Sequence, residues 1–307
     1  LIGIAYQLCK NLNRIIDCNY YPTECASNSN SVNRPIGIGI QGLTDVFQML
    51  DIAWSDDEAL ELNNKIQEAI YYATLSSSCD LAKELGPYKN YEGSPIHKGI
   101  LHFDHYEITP SGVEGLCDWY SLRKQIKTYG IRNSLLVALM PTATSSYALG
   151  NTESFEPPFY NIFVRKGKHS NFYVINKFLC ALLKKKGKLN REVVNKIIED
   201  NGSVQNLTVK GVDILSDREK EIFKTSWEIP MKRQVQLSLG RAPYVDQSQS
   251  FNASIREPKH NHVYSMIRDM WRGKGKTCMY YMRREAPSSP LKFSLPIPTD
   301  DCVGCSS

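Results

Sequence analysis

The stretch from Leu135 to Glu153 (LLVALMPTATSSYALGNTE) constrains the fold more than any other part of the chain. It opens with a short apolar run, Leu135 to Met140, that Pro141 interrupts. Five small residues follow, Thr142, Ala143, Thr144, Ser145 and Ser146. A helix-like segment comes after them. A buried strand that leads into a small, hydroxyl-rich turn presents backbone N–H and side-chain O–H groups to a phosphate. The same pattern is typical of a serine or threonine N-cap on an ordinary helix, so the residues alone leave both interpretations open.

Helical and strand patterns alternate along the chain, and the strand patterns lie far apart, which favours an α/β architecture. Helical spacing of apolar residues is found at residues 2–17, 55–85, 117–129, 176–186, 191–200, 217–227, 230–239 and 263–272. Strands are predicted at residues 135–140, 161–165, 171–175, 251–255 and 277–283, and the second and third of these form a hairpin. Residues 19–33 are predicted to be a loop. Ser55 and Glu58 are predicted to form a capping box, and Gly240 to end a helix.

Gly37, Gly39 and Gly42 form a GxGxxG pattern of the kind found in dinucleotide-binding folds. That fingerprint requires a preceding strand, a following helix and an acidic residue at the end of a second strand ~20 residues further on. Here the residues from Asp56 onward enter a long helical pattern instead. We therefore favour a glycine-rich strand packed closely against its neighbours and followed by a helix. An NAD-binding oxidoreductase is an alternative that rests on this motif alone.

The composition is that of an ordinary globular protein. The 307 residues, 42% of them hydrophobic and 22% charged, are enough for one large or two ordinary domains. The net charge of +5 is too small to demand a nucleic-acid partner, and the lysines of residues 184–188 are typical of a solvated turn. No stretch approaches the ~18 apolar residues of a membrane span, and no secretion leader is visible. The chain begins at Leu1 within a helical pattern, which is compatible with a partial product.

Six of the nine cysteines lie in apolar or helical surroundings: Cys9, Cys18, Cys25, Cys79, Cys117 and Cys180. This is typical of reduced cysteines that act as small core residues. Cys302 and Cys305 differ, because they form a CxxC pair in residues 286–307, which we predict to be an extended, mobile tail. Such a pair forms a disulfide, supplies half of a zinc site or stays inert. No second CxxC completes a zinc site, so a redox shuttle and a solvated terminus are the two interpretations.

Tyr280 and Tyr281 are adjacent within a strand pattern. Neighbouring strand residues point to opposite faces, so one core tyrosine and one surface tyrosine is the ordinary interpretation. Tyrosine also loses an electron together with a proton, so two stacked phenols would pass a radical. The sequence alone does not show stacking.

Several ordered blocks of the chain resemble one known family. They read RPIGIGIQGLTDVF, DLAKELGPYKNYEGSP, GIRNSLLVALMPTATSSYALGNTESFEP, YVDQSQSFN and TCMYYMR, and CVGC follows them. Together they resemble the large, catalytic subunit of class I ribonucleotide reductase over essentially the whole chain, and most closely the eukaryotic and large-DNA-virus type.

This resemblance implies a fold and an activity. The family reduces ribonucleoside diphosphates to deoxyribonucleoside diphosphates for DNA synthesis, on a ten-stranded α/β barrel with a finger loop inside. A thiyl radical on that loop removes the 3′ hydrogen of the ribose, and a cysteine pair supplies two electrons. By resemblance, residues 1–285 are the C-terminal part of the barrel and residues 286–307 are a flexible redox tail. The GxGxxG glycines then belong to a barrel strand and its exit.

Three groups of residues match functional positions of the family. The turn that holds the substrate's phosphates matches Thr142, Ala143, Thr144, Ser145 and Ser146. Tyr280 and Tyr281 match the pair that relays the radical to the active-site cysteine. Cys302 and Cys305 match the tail pair that re-reduces the active-site disulfide by thiol–disulfide exchange.

The resemblance also implies cofactors and partners. A radical-generating small subunit carries a metal–tyrosyl cofactor, thioredoxin or glutaredoxin is the reductant, and the large subunit is a homodimer. ATP and deoxynucleotide effectors bind the N-terminal part, whereas this chain is expected to bind no cofactor and no metal. The family's location is the cytoplasm, or the host cytoplasm for a virus.

Some blocks of the family do not occur in this sequence. They are the finger loop with the radical cysteine, the reducing cysteine pair and the N-terminal effector segments, and family order places them before Leu1. We therefore expect a partial product or one half of a split enzyme, inactive until it is joined to the missing N-terminal part. The alternative is a non-catalytic remnant that binds a reductase subunit or another protein.

Overall fold

The computed structural model describes residues 1–166 and 171–285 of the chain. The helices are α1 (Ile2–Cys18), α2 (Glu24–Asn33), α3 (Leu43–Met49), α4 (Asp57–Leu85), α5 (Trp119–Tyr129), α6 (Ala143–Leu149), α7 (Lys177–Lys185), α8 (Arg191–Glu199), α9 (Asp217–Ile222), α10 (Met231–Arg241) and α11 (His260–Arg272). Short 3-10 helices span His102–Tyr106 and Ala242–Tyr244. The strands are β1 (Ile162–Lys166), β2 (Asn171–Ile175), β3 (Thr208–Val209), β4 (Val212–Asp213), β5 (Asn252–Ile255) and β6 (Tyr281–Arg284). The predicted α/β class is confirmed, and so is the predicted hairpin, in which β1 pairs antiparallel with β2.

Extended segments lie side by side and run parallel in the centre of the fold. Isolated bridges join Ile38 to Val137 and Leu139 to Gln249, both in parallel orientation. The third of these segments continues through Phe251 into β5, which pairs in parallel with β6. The order in space is therefore residues 36–38, 136–139, 247–255 and 281–284, and each pair is joined by a long connection that contains helices.

Glycine is required where the first two segments approach each other. A Cβ atom on Gly39 would lie 2.5 Å from the carbonyl oxygen of Ala138, and one on Gly37 would lie 3.3 Å from the Ala138 Cβ. The predicted close packing of this glycine-rich segment against a neighbour therefore agrees with the structure, but the segment pairs only through the isolated bridge at Ile38 and is not a regular strand. The close approach is to protein backbone, which leaves the NAD-binding alternative without support from these glycines.

Helix α4 is the centre of the main hydrophobic core. Its buried face packs against α1, α5 and α10, and the core continues into the extended segments. The predicted capping box at its start does not form. The N-cap residue is Asp56, whose carboxylate accepts from Ala53 N at 2.7 Å, while the Ser55 hydroxyl donates to Glu221 Oε2 at 3.1 Å.

Two smaller clusters complete the core. One joins the β1–β2 hairpin to α7, α8 and α9 around Leu179, Val193 and Ile197. The other joins α10, β5 and α11 around Val235, Ala253 and Met266. Over the described residues, no helix has both the length and the apolar content that crossing a bilayer requires.

Two element predictions are wrong for clear physical reasons. Helix α2 occupies part of the predicted loop; it has no buried residue, so no apolar period marks it, and its Thr23 cap is its one strong signal. Gly240 does not end α10 but lies inside it, where a Cβ atom would come within 2.4 Å of Asn64 Oδ1 on α4. That glycine serves the close contact of two helices.

Candidate functional site

The hydroxyl-rich turn lies at the carboxyl end of the 136–139 segment and begins α6. The first hydrogen bond of this turn runs from Ser146 N to Thr142 O at 2.9 Å. The N–H groups of Ala143, Thr144 and Ser145 precede that bond and have no acceptor within the helix, so they point out of its N-terminal end. Thr142 does not cap the helix with its side chain. Its Oγ1 accepts instead from Ser154 N at 2.7 Å, so the ordinary N-cap interpretation does not describe this threonine.

The five residues of the predicted site differ in exposure. Ala143, Thr144 and Ser145 are exposed, Thr142 is half-buried, and Ser146 is buried. The Ser145 hydroxyl donates to Gln41 Oε1 at 3.0 Å. The exposed surface of the turn therefore consists of backbone N–H groups with the Thr144 and Ser145 hydroxyls beside them.

The chain after α6 returns to the exit of the glycine-rich segment. Gly42 N donates to Thr152 O at 3.0 Å, and Gln41 Nε2 donates to Asn151 Oδ1 at 3.0 Å. Gly42 has φ of 77°, a left-handed conformation that glycine adopts without strain. The end of the glycine pattern thus holds the loop at residues 151–152, which follows α6, through these hydrogen bonds.

Tyr280 and Tyr281 are in contact with each other. Their ring centroids are 4.4 Å apart with an angle of 64° between the ring planes. Both side chains are exposed, by 50% and 51%, so the interpretation as one core and one surface residue is wrong. The reason is local: Tyr280 lies in a bend and β6 begins at Tyr281, so the strand alternation does not apply to the pair.

Two neighbours set the chemistry of this tyrosine pair. The pKa of Tyr280 is raised, mainly because of its hydrogen bond with the Tyr281 side chain. The Arg283 guanidinium lies 5.3 Å from the centre of the Tyr281 ring and 5.2 Å from that of Phe159. Two phenol rings in contact next to a cation are suited to exchanging a proton and an electron.

The strand register brings the carboxyl end of the 136–139 segment and the amino start of β6, where the tyrosine pair lies, to neighbouring levels on the two sides of the 247–255 segment. Ser250 N donates to Leu139 O at 2.7 Å, and Tyr280 N donates to Phe251 O at 2.6 Å. Leu139 pairs with Gln249 and Asn252 pairs with Tyr281. Leu139 and Tyr280 therefore flank the chain of residues 249–251 on its two sides, and strands on either side of a third strand are about 10 Å apart.

The cysteines divide by burial. Cys9, Cys79 and Cys117 are buried free thiols, as predicted, whereas Cys18 and Cys25 are exposed, so the core interpretation is wrong for these two. Cys302 and Cys305 lie outside the described residues. In residues 1–166 and 171–285, no group of three or more His, Cys, Asp or Glu side chains is placed to hold a metal ion.

Sequence reasoning missed a half-buried carboxyl group beside β5. Glu156 accepts from Asn252 N at 2.5 Å and from Asn252 Nδ2 at 2.7 Å. A single Glu in a loop rich in proline and aromatic residues carries no pattern that distinguishes it from a solvated one.

Sequence reasoning also missed a cavity at the opposite, amino end of the segments. The cavity has a volume of about 510 Å³, and Tyr71, His102, Asp246 and Lys276 are among the residues that line it. Burial lowers the pKa of His102 to about 4 and raises that of Asp246 to about 6. Asp246 accepts from Leu136 N at 2.9 Å and Val137 N at 2.8 Å, so its carboxylate anchors the start of the second segment.

A family model described as the barrel domain of ribonucleotide reductase matches residues 3–281 of the chain. The chain belongs to this ribonucleotide reductase family. It is 44% identical to the ribonucleoside-diphosphate reductase large subunit of Danio rerio over 295 residues, which are 96% of this chain and 36% of that protein. It is 43% identical to the Vaccinia virus protein of the same name, over 96% of this chain and 37% of the viral protein. The predicted resemblance to eukaryotic and viral large subunits is confirmed.

A solved structure of a ribonucleotide reductase is also similar. The alpha subunit of the Actinobacillus ureae class Id ribonucleotide reductase matches with a TM-score of 0.68 and 27% identity, over 94% of this chain and 46% of that one. The chain thus spans little more than a third of the length of these curated relatives, 36% for the Danio rerio protein and 37% for the Vaccinia virus protein.

Proposed function

We propose that this chain is the C-terminal part of the large subunit of a ribonucleoside-diphosphate reductase. The observation that carries the proposal is the register of the parallel segments, because the segment that leads into the hydroxyl-rich turn and the strand that begins at the tyrosine pair flank the same chain of residues 249–252. The group that binds the substrate's phosphates and the path that delivers the radical have to serve the same substrate molecule. This arrangement would allow the turn and the tyrosine pair to do so.

The turn of residues 142–146 would hold the diphosphate of the substrate. The N–H groups of Ala143, Thr144 and Ser145 supply donors to phosphate oxygens, and the Thr144 hydroxyl adds another. The Ser145 hydroxyl, which donates to Gln41 Oε1, would add a further donor by turning from Gln41 to the phosphate. Because the turn carries no cationic side chain, its grip depends on these hydrogen bonds. The support comes from the match of this turn to the family's phosphate-binding turn.

Tyr280 and Tyr281 would relay a radical between a radical-generating small subunit and the active-site cysteine. Electron transfer from a phenol requires that its proton move to a nearby acceptor. The neighbouring phenol of the pair, with ring centroids 4.4 Å apart, would provide such an acceptor. Their exposure leaves a face open towards a partner.

Cys302 and Cys305 would return the active-site cysteines to the dithiol state. In each exchange one tail thiolate attacks the active-site disulfide, and the second resolves the mixed disulfide. Both electrons pass to the active site, and the tail pair ends as a disulfide that thioredoxin or glutaredoxin reduces. Residues 286–307 would thus act as a tail separate from the barrel part, residues 1–285.

The remaining components would be supplied from outside this chain. They are the N-terminal part with the radical cysteine and the ATP and deoxynucleotide effector sites, the small subunit with its metal–tyrosyl cofactor, and a second large subunit in a homodimer. We place the reaction in the cytoplasm. The isolated chain would be inactive, since no binding residue replaces a thiyl radical.

A reconstitution experiment tests the proposal. The chain, joined to its N-terminal part as one or two polypeptides, is mixed with the small subunit, thioredoxin and a nucleoside diphosphate, and the deoxynucleotide is quantified. We expect product that Tyr281→Phe abolishes, whereas Tyr129→Phe, a change at another exposed tyrosine, preserves it. Verified assembly without product would reject the reductase and favour the non-catalytic binding protein.

A further inference from the structure

The peptide group between Phe251 and Asn252 is hydrogen-bonded on both sides. Its oxygen accepts from Tyr280 N at 2.6 Å, and its N–H donates to Glu156 Oε1 at 2.5 Å. A carboxylate that accepts from the N–H of a peptide group polarises that group and strengthens the bond its oxygen accepts. The Glu156 carboxyl is therefore one peptide group away from the backbone of Tyr280.

Glu156 is also tied to the hydroxyl-rich turn through its own backbone. Its carbonyl oxygen accepts from Thr44 Oγ1 at 2.8 Å. Two residues earlier, Ser154 N donates to Thr142 Oγ1 at 2.7 Å. Phe155 between them is fully buried. The segment from the turn to Glu156 is thus fixed at both ends.

A buried cation lies behind this carboxyl group. Arg241 on α10 is 2% exposed, donates to Gln249 Oε1 at 2.8 Å and stacks 4.6 Å from the centre of the Phe155 ring. The positive charge of Arg241 lowers the pKa of Glu156, and the negative charge of Glu153 in the same loop raises it. The site thus contains an acceptor, its amide donors and a counter-charge without a direct ion pair.

We propose that Glu156 is a positioning residue that holds Tyr280 and Tyr281 against β5, in a fixed position relative to the turn of residues 142–146. The role rests on the proposed function, because it assumes that the turn and the tyrosines serve one reaction. Glu156 acts through the Phe251–Asn252 peptide group and touches no reacting atom. Its carboxylate accepts two hydrogen bonds from Asn252 only while it is ionised, since a protonated oxygen becomes a donor.

The ionisation of Glu156 makes this role sensitive to pH. Burial raises the pKa of Glu156 to about 7, against the opposing effect of the Asn252 hydrogen bonds and the Arg241 charge. The carboxyl group therefore gains a proton when the pH falls through neutrality. Tyrosine positioning should be complete above about pH 8 and lost on acidification.

The test uses the assembled reductase with Glu156→Gln and, as the matched control, Glu153→Gln, which makes the same change at an exposed position three residues earlier. At pH 8 we expect Glu156→Gln to lower kcat at least about ten-fold, with KM for the diphosphate within a factor of two of the wild-type value. At this pH the Glu156 carboxyl is mostly ionised, so Glu153→Gln should leave both unchanged, and because it removes a charge that raises the pKa of Glu156, it should move the acid limb only to lower pH. The acid limb of the wild-type kcat profile near pH 7 should disappear in Glu156→Gln.

Asn252→Ala provides a second variant in case Glu156→Gln does not fold. It removes one hydrogen bond that lowers the pKa of Glu156, so the acid limb should move to higher pH. A wild-type kcat in Glu156→Gln, or an acid limb that neither variant moves, would overturn the proposal.

Hydrogen exchange separates this inference from the proposed function. The Tyr280 amide should exchange faster in Glu156→Gln than in the wild-type or Glu153→Gln protein, whether or not nucleotide is reduced. Unchanged protection of that amide would refute the positioning role. Absence of deoxynucleotide from the wild-type complex would refute the reductase instead.

Discussion

Glu68 is a carboxylate in the core that is 1% exposed and fully used as an acceptor. It accepts from Ser111 Oγ at 2.7 Å, Gly112 N at 2.8 Å, Trp119 Nε1 at 2.9 Å and Tyr244 OH at 3.2 Å. These donors come from a loop, α5 and the 3-10 helix after α10, and one side chain on α4 joins them. No local pattern distinguishes Glu68 from an ordinary residue of α4, so its role was not predictable from the sequence.

Glu68→Gln should lower the free energy of unfolding by about 3 kcal/mol, because the new amide group places donors against buried donors. Glu61→Gln, at an exposed position two turns earlier on α4, is the matched control and should change stability by less than about 0.5 kcal/mol. Urea unfolding followed by tryptophan fluorescence measures both. Equal midpoints for the two variants would contradict the role of Glu68.

The cysteines provide a second prediction at the residue scale. Burial raises the pKa of Cys9 and Cys79 to about 11 and that of Cys117 to about 12, so at pH 8 these three hold little thiolate. Cys18 and Cys25 are exposed. A brief maleimide treatment at pH 8, read by peptide mass spectrometry, should label the two exposed thiols and leave the three buried ones unmodified until urea is added. Labelling of Cys117 in the folded protein would contradict the burial.

At the scale of elements, the contact between the glycine-rich segment and the 136–139 segment leaves the least room next to backbone. Gly39→Ala would place a Cβ atom 2.5 Å from Ala138 O. Backbone cannot move aside as a side chain does, so we expect a loss of about 2 kcal/mol or more. Gly3→Ala, which meets nothing within 4 Å on α1, should be neutral or stabilising by up to about 1 kcal/mol. Thermal unfolding compares the two, and similar losses in both would contradict the strand contact.

Elements with an apolar period were predictable, and elements without one were not. Helix α4 and the β1–β2 hairpin follow directly from their residue patterns, and helix α10 does so apart from its end. Helix α2 has no buried face and was missed, and Gly240 was assigned to a helix end because contact between two helices leaves no local signal. Glycine occurs both where the chain turns and where another segment packs closely against the backbone. Only the tertiary structure shows which of these two roles a given glycine has.

At the scale of the whole molecule, sequence motifs located the candidate site but not its arrangement. The turn of residues 142–146 and the tyrosine pair were identified separately, 134 positions apart from Ser146 to Tyr280 in the numbering of the chain. Their relative position depends on the register of three parallel segments. That register is set by long-range pairing, which no local sequence pattern encodes. The contact between Glu156 and the Phe251–Asn252 peptide group depends on the same pairing.

The central claim is that the turn, the tyrosine pair and the tail cysteines serve one reaction in different roles. The most direct test compares single and multiple turnovers of the assembled, pre-reduced reductase, with thioredoxin present only in the second case. Tyr280→Phe should form no deoxynucleotide in either case, because no radical reaches the active site. Cys302→Ser should form deoxynucleotide in the single turnover and stop there, because only later rounds need the tail dithiol. Full multiple turnover by Tyr280→Phe, or a single turnover lost in Cys302→Ser, would contradict the assignment.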